Sequence, residues 1–166
     1  MIDFKKYFIF LKTKWIFDKP KKKEFLIYDG ELKDILLQYI PKKKTEVFHI
    51  RKENINLFIL FKTICRNGLN DLFSNYQKNF FNYVKPRYVL TLVDLNVNFF
   101  KLKEKFPHIK FICVQKTPRG KDRELKSFQN QKNLACDYFF SYSDEQTQIF
   151  KKFIKFKKVF KIGSFL

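Results

Sequence analysis

Short apolar runs alternate with amphipathic helical stretches from Glu24 to Gly163, and this alternation constrains the fold more than any other feature of the chain. Phe25-Leu-Ile-Tyr28 reads as a buried strand closed by the turn signal Asp29-Gly30. Leu32, Ile35, Leu36, Tyr39 and Ile40 then recur at helical spacing until Pro41 stops them. Thr45-Glu-Val-Phe-His-Ile50 alternates and carries β-branched residues, which predicts a second strand. Leu57, Leu60, Phe61, Ile64 and Cys65 form the next helical stripe, ending near Asn67-Gly68. Leu69, Leu72, Phe73, Tyr76, Phe80, Tyr83 and Val84 form another, ending before Pro86.

The second half repeats the layout. Arg87-Tyr-Val-Leu-Thr-Leu-Val93 is the near-continuous apolar run of a central parallel strand, closed by Asp94. Phe99, Leu102 and Phe106 mark a short helix before Pro107, and Ile109-Lys-Phe-Ile-Cys-Val114 a further strand. The polar stretch Lys121–Asn133 predicts an exposed loop or helix. Cys136-Asp-Tyr-Phe-Phe140 is a strand, and Ser143-Asp-Glu-Gln146 has the spacing of a helix capping box. Val159-Phe-Lys-Ile162 is the last strand. The compact solution is an α/β, Rossmann-like three-layer domain with a mostly parallel central sheet, right-handed crossovers and helices on both faces. It spans residues 22–166, behind an N-terminal segment of residues 1–21.

Charge bounds the partners. Lys and Arg number 35 against 16 Asp and Glu, a net charge of +19, which attracts nucleic acid, anionic lipid or anionic substrates. The basic residues are spread along the chain without a long tail, and the aromatics fall on apolar stripes, so nucleic acid is the least favoured partner. Cys65, Cys113 and Cys136 are isolated, odd in number and without CxxC spacing, so neither a disulfide framework nor a zinc site is indicated. Each lies in an apolar run, so buried, reduced thiols in the cytoplasm are expected. No run approaches the roughly 18 apolar residues of a membrane span. Near the N-terminus, Phe4, Phe8, Leu11 and Trp15 carry basic flanks at Lys5, Lys6, Lys12 and Lys14. That stretch either packs on the core or lies on the inner face of the cytoplasmic membrane.

Parallel sheets bind ligands at the carboxyl ends of their strands, which singles out the polar residues there. Asp29 either serves a site or caps the helix that follows. Asp94 and Asn96 either place a carboxylate in the cleft or satisfy the loop and the next helix. His49, inside a strand reading, is structural, and His108 is exposed in a turn. Gln115 to Gly120 is the foremost candidate loop. Arg119 presents a planar fork suited to phosphate or carboxylate, although an ordinary basic loop has the same composition. If Arg119 binds an anion, Arg119→Lys weakens binding and leaves stability nearly unchanged. Gly163-Ser164 could turn backbone amides toward an anion. There is no GxGxxG, P-loop, HExxH or GxSxG, and no cofactor or metal is expected.

Five stretches, in order, resemble a bacterial surface-carbohydrate (lipopolysaccharide or capsule) biosynthesis family of glycosyltransferase-B-like architecture. They are Lys22-Lys-Glu-Phe-Leu-Ile-Tyr-Asp29; Val84-Lys-Pro-Arg-Tyr-Val-Leu-Thr-Leu-Val-Asp94 with Phe99-Phe100 and Phe106-Pro107; Lys110-Phe-Ile-Cys-Val-Gln115 with Arg119; Asp137-Tyr-Phe-Phe140; and Ile162-Gly-Ser-Phe165. The resemblance implies the first, acceptor-side half of a two-domain transferase that moves a sugar from a nucleotide sugar to a glycan or lipid-linked acceptor. It implies that a second half, or a partner chain supplying one, holds the donor, so the isolated chain should not turn over nucleotide sugars. Asp94 is then the candidate general base and Arg119 the phosphate-stabilising group. Asp29, Asn96, Gln115, Gly163 and Ser164 are the candidate substrate contacts. The family usually has Asn-Gly after the Val-Gln pair, where this chain has Lys116-Thr117-Pro118. The alternative is a non-catalytic module that binds an anionic membrane or a partner protein.

Overall fold

The computed structural model describes residues 13–51, 53–120 and 125–164. Strand β1 (Lys14–Ile16) pairs in parallel with β4 (Asn54–Asn56) as a small separate sheet. The other strands are β2 (Phe25–Tyr28), β3 (Thr45–Phe48), β5 (Tyr88–Thr91), β6 (Lys110–Val114), β7 (Ala135–Ser141) and β8 (Lys155–Lys161). They form one six-stranded sheet in the order β3-β2-β5-β6-β7-β8, with every pairing parallel. From β2 the chain steps to β3, crosses back to β5, and then steps outward to β8. The direction reverses between β2 and β5, which makes their carboxyl ends the topological switch point.

Among the described residues, five α-helices accompany these strands: α1 (Lys33–Leu36), α2 (Leu57–Asn67), α3 (Leu72–Val84), α4 (Val97–Lys105) and α5 (Asp144–Lys151). Right-handed crossovers put connections of opposite direction on opposite faces of the sheet. On one face Leu26, Val89, Phe111 and Phe139 are fully buried against Phe81 of α3, Phe99 and Phe100 of α4, and Phe150 of α5. The aromatic excess of the sequence is spent here. Phe81 stacks on Phe106 at 4.9 Å and Phe139 on Phe156 at 4.5 Å, and Phe48 is ringed by Tyr76, Phe80 and Phe81. Burial of each such ring contributes about 1.5–3 kcal/mol. The opposite face is thinner. Ile27, Leu90, Leu92 and Val114 are buried there with Leu36 of α1, while Tyr88, Ile112 and Tyr138 are only half-buried.

The sheet and its strand ends follow the sequence pattern; several details differ. The helix expected over Leu32–Ile40 shrinks to α1. Leu32 enters it at φ 60° without a side-chain cap, and the bonds from Gln38 to Ile35 and from Tyr39 to Leu36 span only three residues. The last strand begins at Lys155, four residues before Val159. It is an edge strand whose exposed Lys155, Lys157, Lys158 and Lys161 guard the free edge, and so many lysines mask a strand pattern. The polar stretch expected to be exposed buries Leu125 and Phe128. Phe128 meets the rings of Phe100 and Phe150. Cys113 and Cys136 are buried, with thiol pKa values pushed up by that burial, that of Cys136 to about 12. Cys65 is exposed, contrary to expectation, because it lies on the outward side of α2. Trp15 lies in β1, and Phe4, Phe8 and Leu11 of the expected membrane segment lie outside the described residues. Among the described residues no helix is long and apolar enough to cross a membrane.

Candidate functional site

Asp29 directly follows β2 and is 1% exposed, with φ at 86°. Its Oδ1 accepts a hydrogen bond from the Glu31 amide at 3.1 Å, closing a tight turn. It does not cap α1, whose N-cap is Leu32. Among the described residues no hydrogen bond reaches Oδ2, although Arg51 Nε stands 3.3 Å away in an ion pair. The same Arg51 pairs through Nη2 with Glu31, so a half-exposed cation bridges two carboxylates beside the end of β2. Arg51 and Glu31 stand among the polar residues that follow strands, yet nothing in the sequence links positions twenty apart.

The end of β5 carries the second carboxylate. Thr91 Oγ1 donates to the Tyr28 carbonyl at 3.0 Å and accepts from the Val93 amide, which fastens the two strand ends together. Asp94 is fully buried beside this joint. Arg119 forks onto it, with Nε donating to Oδ2 at 3.0 Å and Nη2 to Oδ1. The candidate base and the candidate anion-binding residue therefore meet each other. Asn96 is the N-cap of α4, its Oδ1 accepting from the Asn98 amide at 3.0 Å.

An amide network holds Arg119 in place. Gln115, fully buried after β6, donates through Nε2 to the Thr117 carbonyl at 3.0 Å and to Gln146 Oε1 at 2.7 Å. Its Oε1 accepts from the Tyr142 amide at 3.0 Å. Gln146 Oε1 also accepts from the Arg119 amide, and its Nε2 donates to the Arg119 carbonyl. Sequence reasoning places Gln146 in a capping box. Half of that box forms: Ser143 Oγ accepts from the Gln146 amide at 3.2 Å. The Gln146 side chain clamps the β6 loop instead. Gly163, at φ 69°, and Ser164 follow β8 at the far edge of the sheet, away from the switch point.

His49 follows β3 rather than lying within it, and its ring covers Gly30, where an added Cβ would come within 2.5 Å of Nδ1. Asn54 lies 2.9 Å from its Nε2 and Glu53 3.3 Å from its Nδ1. Burial lowers its pKa, partly offset by Glu53. A cavity of about 280 Å³ opens between the β3 edge and the small sheet, bordered by His49, Asn54, Lys19, Lys21 and Lys23. Among the described residues no cluster of His, Cys, Asp and Glu could hold a metal ion.

Chemically, the switch point offers two buried carboxylates on adjacent strand ends. Asp94 is engaged by a guanidinium fork. Asp29 Oδ2 has the Arg51 cation beside it but no hydrogen bond among the described residues. Compared with known families, curated proteins and solved structures, the chain matches none.

Proposed function

We propose that this Rossmann-like domain is the acceptor-side half of a glycosyltransferase-like protein of surface-polysaccharide synthesis. On this reading the ends of β2 and β5 take a hydroxyl-rich glycan. One observation carries the reading: at the switch point the buried Asp29 has Oδ2 without a hydrogen-bond donor among the described residues. A buried carboxylate oxygen is costly to leave unsatisfied, and a sugar hydroxyl is the donor it lacks. Arg51 and Glu31, paired with each other beside it, put charged groups around the same strand end. The resemblance of the five sequence stretches supports the same assignment.

A second reading rests on the Asp94–Arg119 pair. A base forked by arginine is a poor proton acceptor, and this favours a binding module over a catalyst.

Titrating the full chain with a panel of neutral and acidic oligosaccharides, read by calorimetry, tests the binding. At least one should bind, and Asp29→Asn should weaken it roughly tenfold, since a charge-assisted hydrogen bond is lost. Absence of binding across the panel, or equal affinity in Asp29→Asn, would refute the reading.

A further inference from the structure

Helix α2 packs Phe58, Ile59 and Leu60 on the core, yet it also turns apolar side chains outward. Against the core it sets Ile59 and Thr63, both fully buried. Thr63 Oγ1 donates to the Ile59 carbonyl at 2.7 Å and accepts from Asn79 of α3 at 2.9 Å. At about 100° per residue, Phe61 points directly away from that pair, and Leu57, Ile64 and Cys65 lie within about 60° of it. Phe61 is 66% exposed and Ile64 38%, and Leu69, just past the Gly68 cap, is 72% exposed. Lys62, exposed and about 100° from Phe61, borders the stripe, and exposed Arg66 lies one turn on, about 140° from Phe61. No carboxylate occurs between Glu53 and Asp71.

Phe61, Ile64 and Leu69 belong to neither core cluster, so packing of the domain does not explain them. Contiguous exposed apolar surface of this kind marks an interaction site. Its flanking charges select the occupant. A second copy would set +19 against +19 and bring Lys62 and Arg66 toward cations of the same patch. An anionic lipid surface neutralises those cations while taking up the apolar side chains. We propose that α2 and the turn after it lie flat on an anionic lipid surface. Phe61, Ile64 and Leu69 insert below the headgroups, Lys62 meets lipid phosphates, and Arg66 adds to the positive charge facing the surface. This inference does not depend on the glycan reading, because it uses none of the residues at the ends of β2 and β5.

Cys65 supplies a native probe, since Cys113 and Cys136 are buried. The full chain, labelled at Cys65 with an environment-sensitive dye, is mixed with phosphatidylglycerol-containing vesicles or with phosphatidylcholine alone. The expected result is a blue shift with the anionic vesicles that weakens as salt is added, and at least roughly tenfold weaker binding to neutral ones. In flotation, Phe61→Ser with Ile64→Ser should reduce recovery on anionic vesicles at least roughly tenfold, as should Lys62→Glu with Arg66→Glu. If a variant does not fold, the dye on the native sequence decides alone. Flotation without a dye shift would overturn the proposal by placing the contact elsewhere. Folded variants floating like the native chain would also overturn it. So would a shift that needs no lipid and grows with protein concentration, since it assigns the face to a second copy.

Discussion

Asp94 shows how a single pair sets what each residue can do. Its carboxylate is buried and Arg119 forks onto it, so neither charge can be removed without stranding the other. Breaking a buried pair costs about 3–5 kcal/mol. Asp94→Asn should fall near the lower end, about 3 kcal/mol, because the Arg119 side chain is 18% exposed and can still reach water. Arg119→Lys should also destabilise, since a point charge cannot reproduce two parallel bonds to one carboxylate. That reverses the expectation, drawn from the sequence alone, of nearly unchanged stability. Urea unfolding of both variants checks it, and midpoints equal to the native one would contradict the pairing. Both residues were legible as candidates because they follow apolar strands. Their partnership was not legible, because it joins loops 25 residues apart through the amide clamp of Gln115 and Gln146.

Among the elements, the central strands were the most legible, because burial on both faces writes a continuous apolar run such as Tyr88–Thr91. The small sheet was not legible, since three residues such as Asn54-Ile-Asn56 carry no periodicity. One tie between that sheet and the main one is His49, which covers Gly30 after β2 and meets Asn54 of β4. Burial lowers the His49 pKa below its ordinary 6.5, against the opposing pull of Glu53 and Asp29 and with the help of Lys33. The folded state therefore binds fewer protons than the unfolded one in this range. The His49 contribution to stability is fully present above about 6.5 and is lost as pH falls through the lowered folded value. Thermal melts between about pH 7.5 and pH 5 should show the midpoint dropping below about 6.5, ahead of the carboxylates that titrate near 4. His49→Gln should flatten that decline. An identical slope in native chain and variant would remove His49 from the account.

For the whole molecule, charge balance matters as much as the core. With 35 Lys and Arg and 16 Asp and Glu, 19 positive charges stay uncompensated whatever the geometry. The exposed pairs that do form, such as Lys44–Glu24 at 3.3 Å and Lys161–Asp144 at 3.0 Å, are of the kind that adds little to stability. The dominant long-range electrostatic effect in the folded state is thus repulsion among lysines, concentrated on the β8 edge and the Lys42–Lys44 turn. Compaction brings these charges closer than the unfolded chain does, so repulsion opposes folding. The distance over which charges act falls from about 30 Å at 0.01 M salt to about 8 Å at 0.15 M. Sodium chloride should therefore stabilise this chain. A gain of about 1 kcal/mol would raise the melting midpoint by about 2–4 °C for a domain of this size. Calorimetry in low and near-physiological salt measures it. A midpoint that falls with salt would mean that paired charges, Asp94–Arg119 and Asp137–Lys103 foremost, outweigh the excess cations.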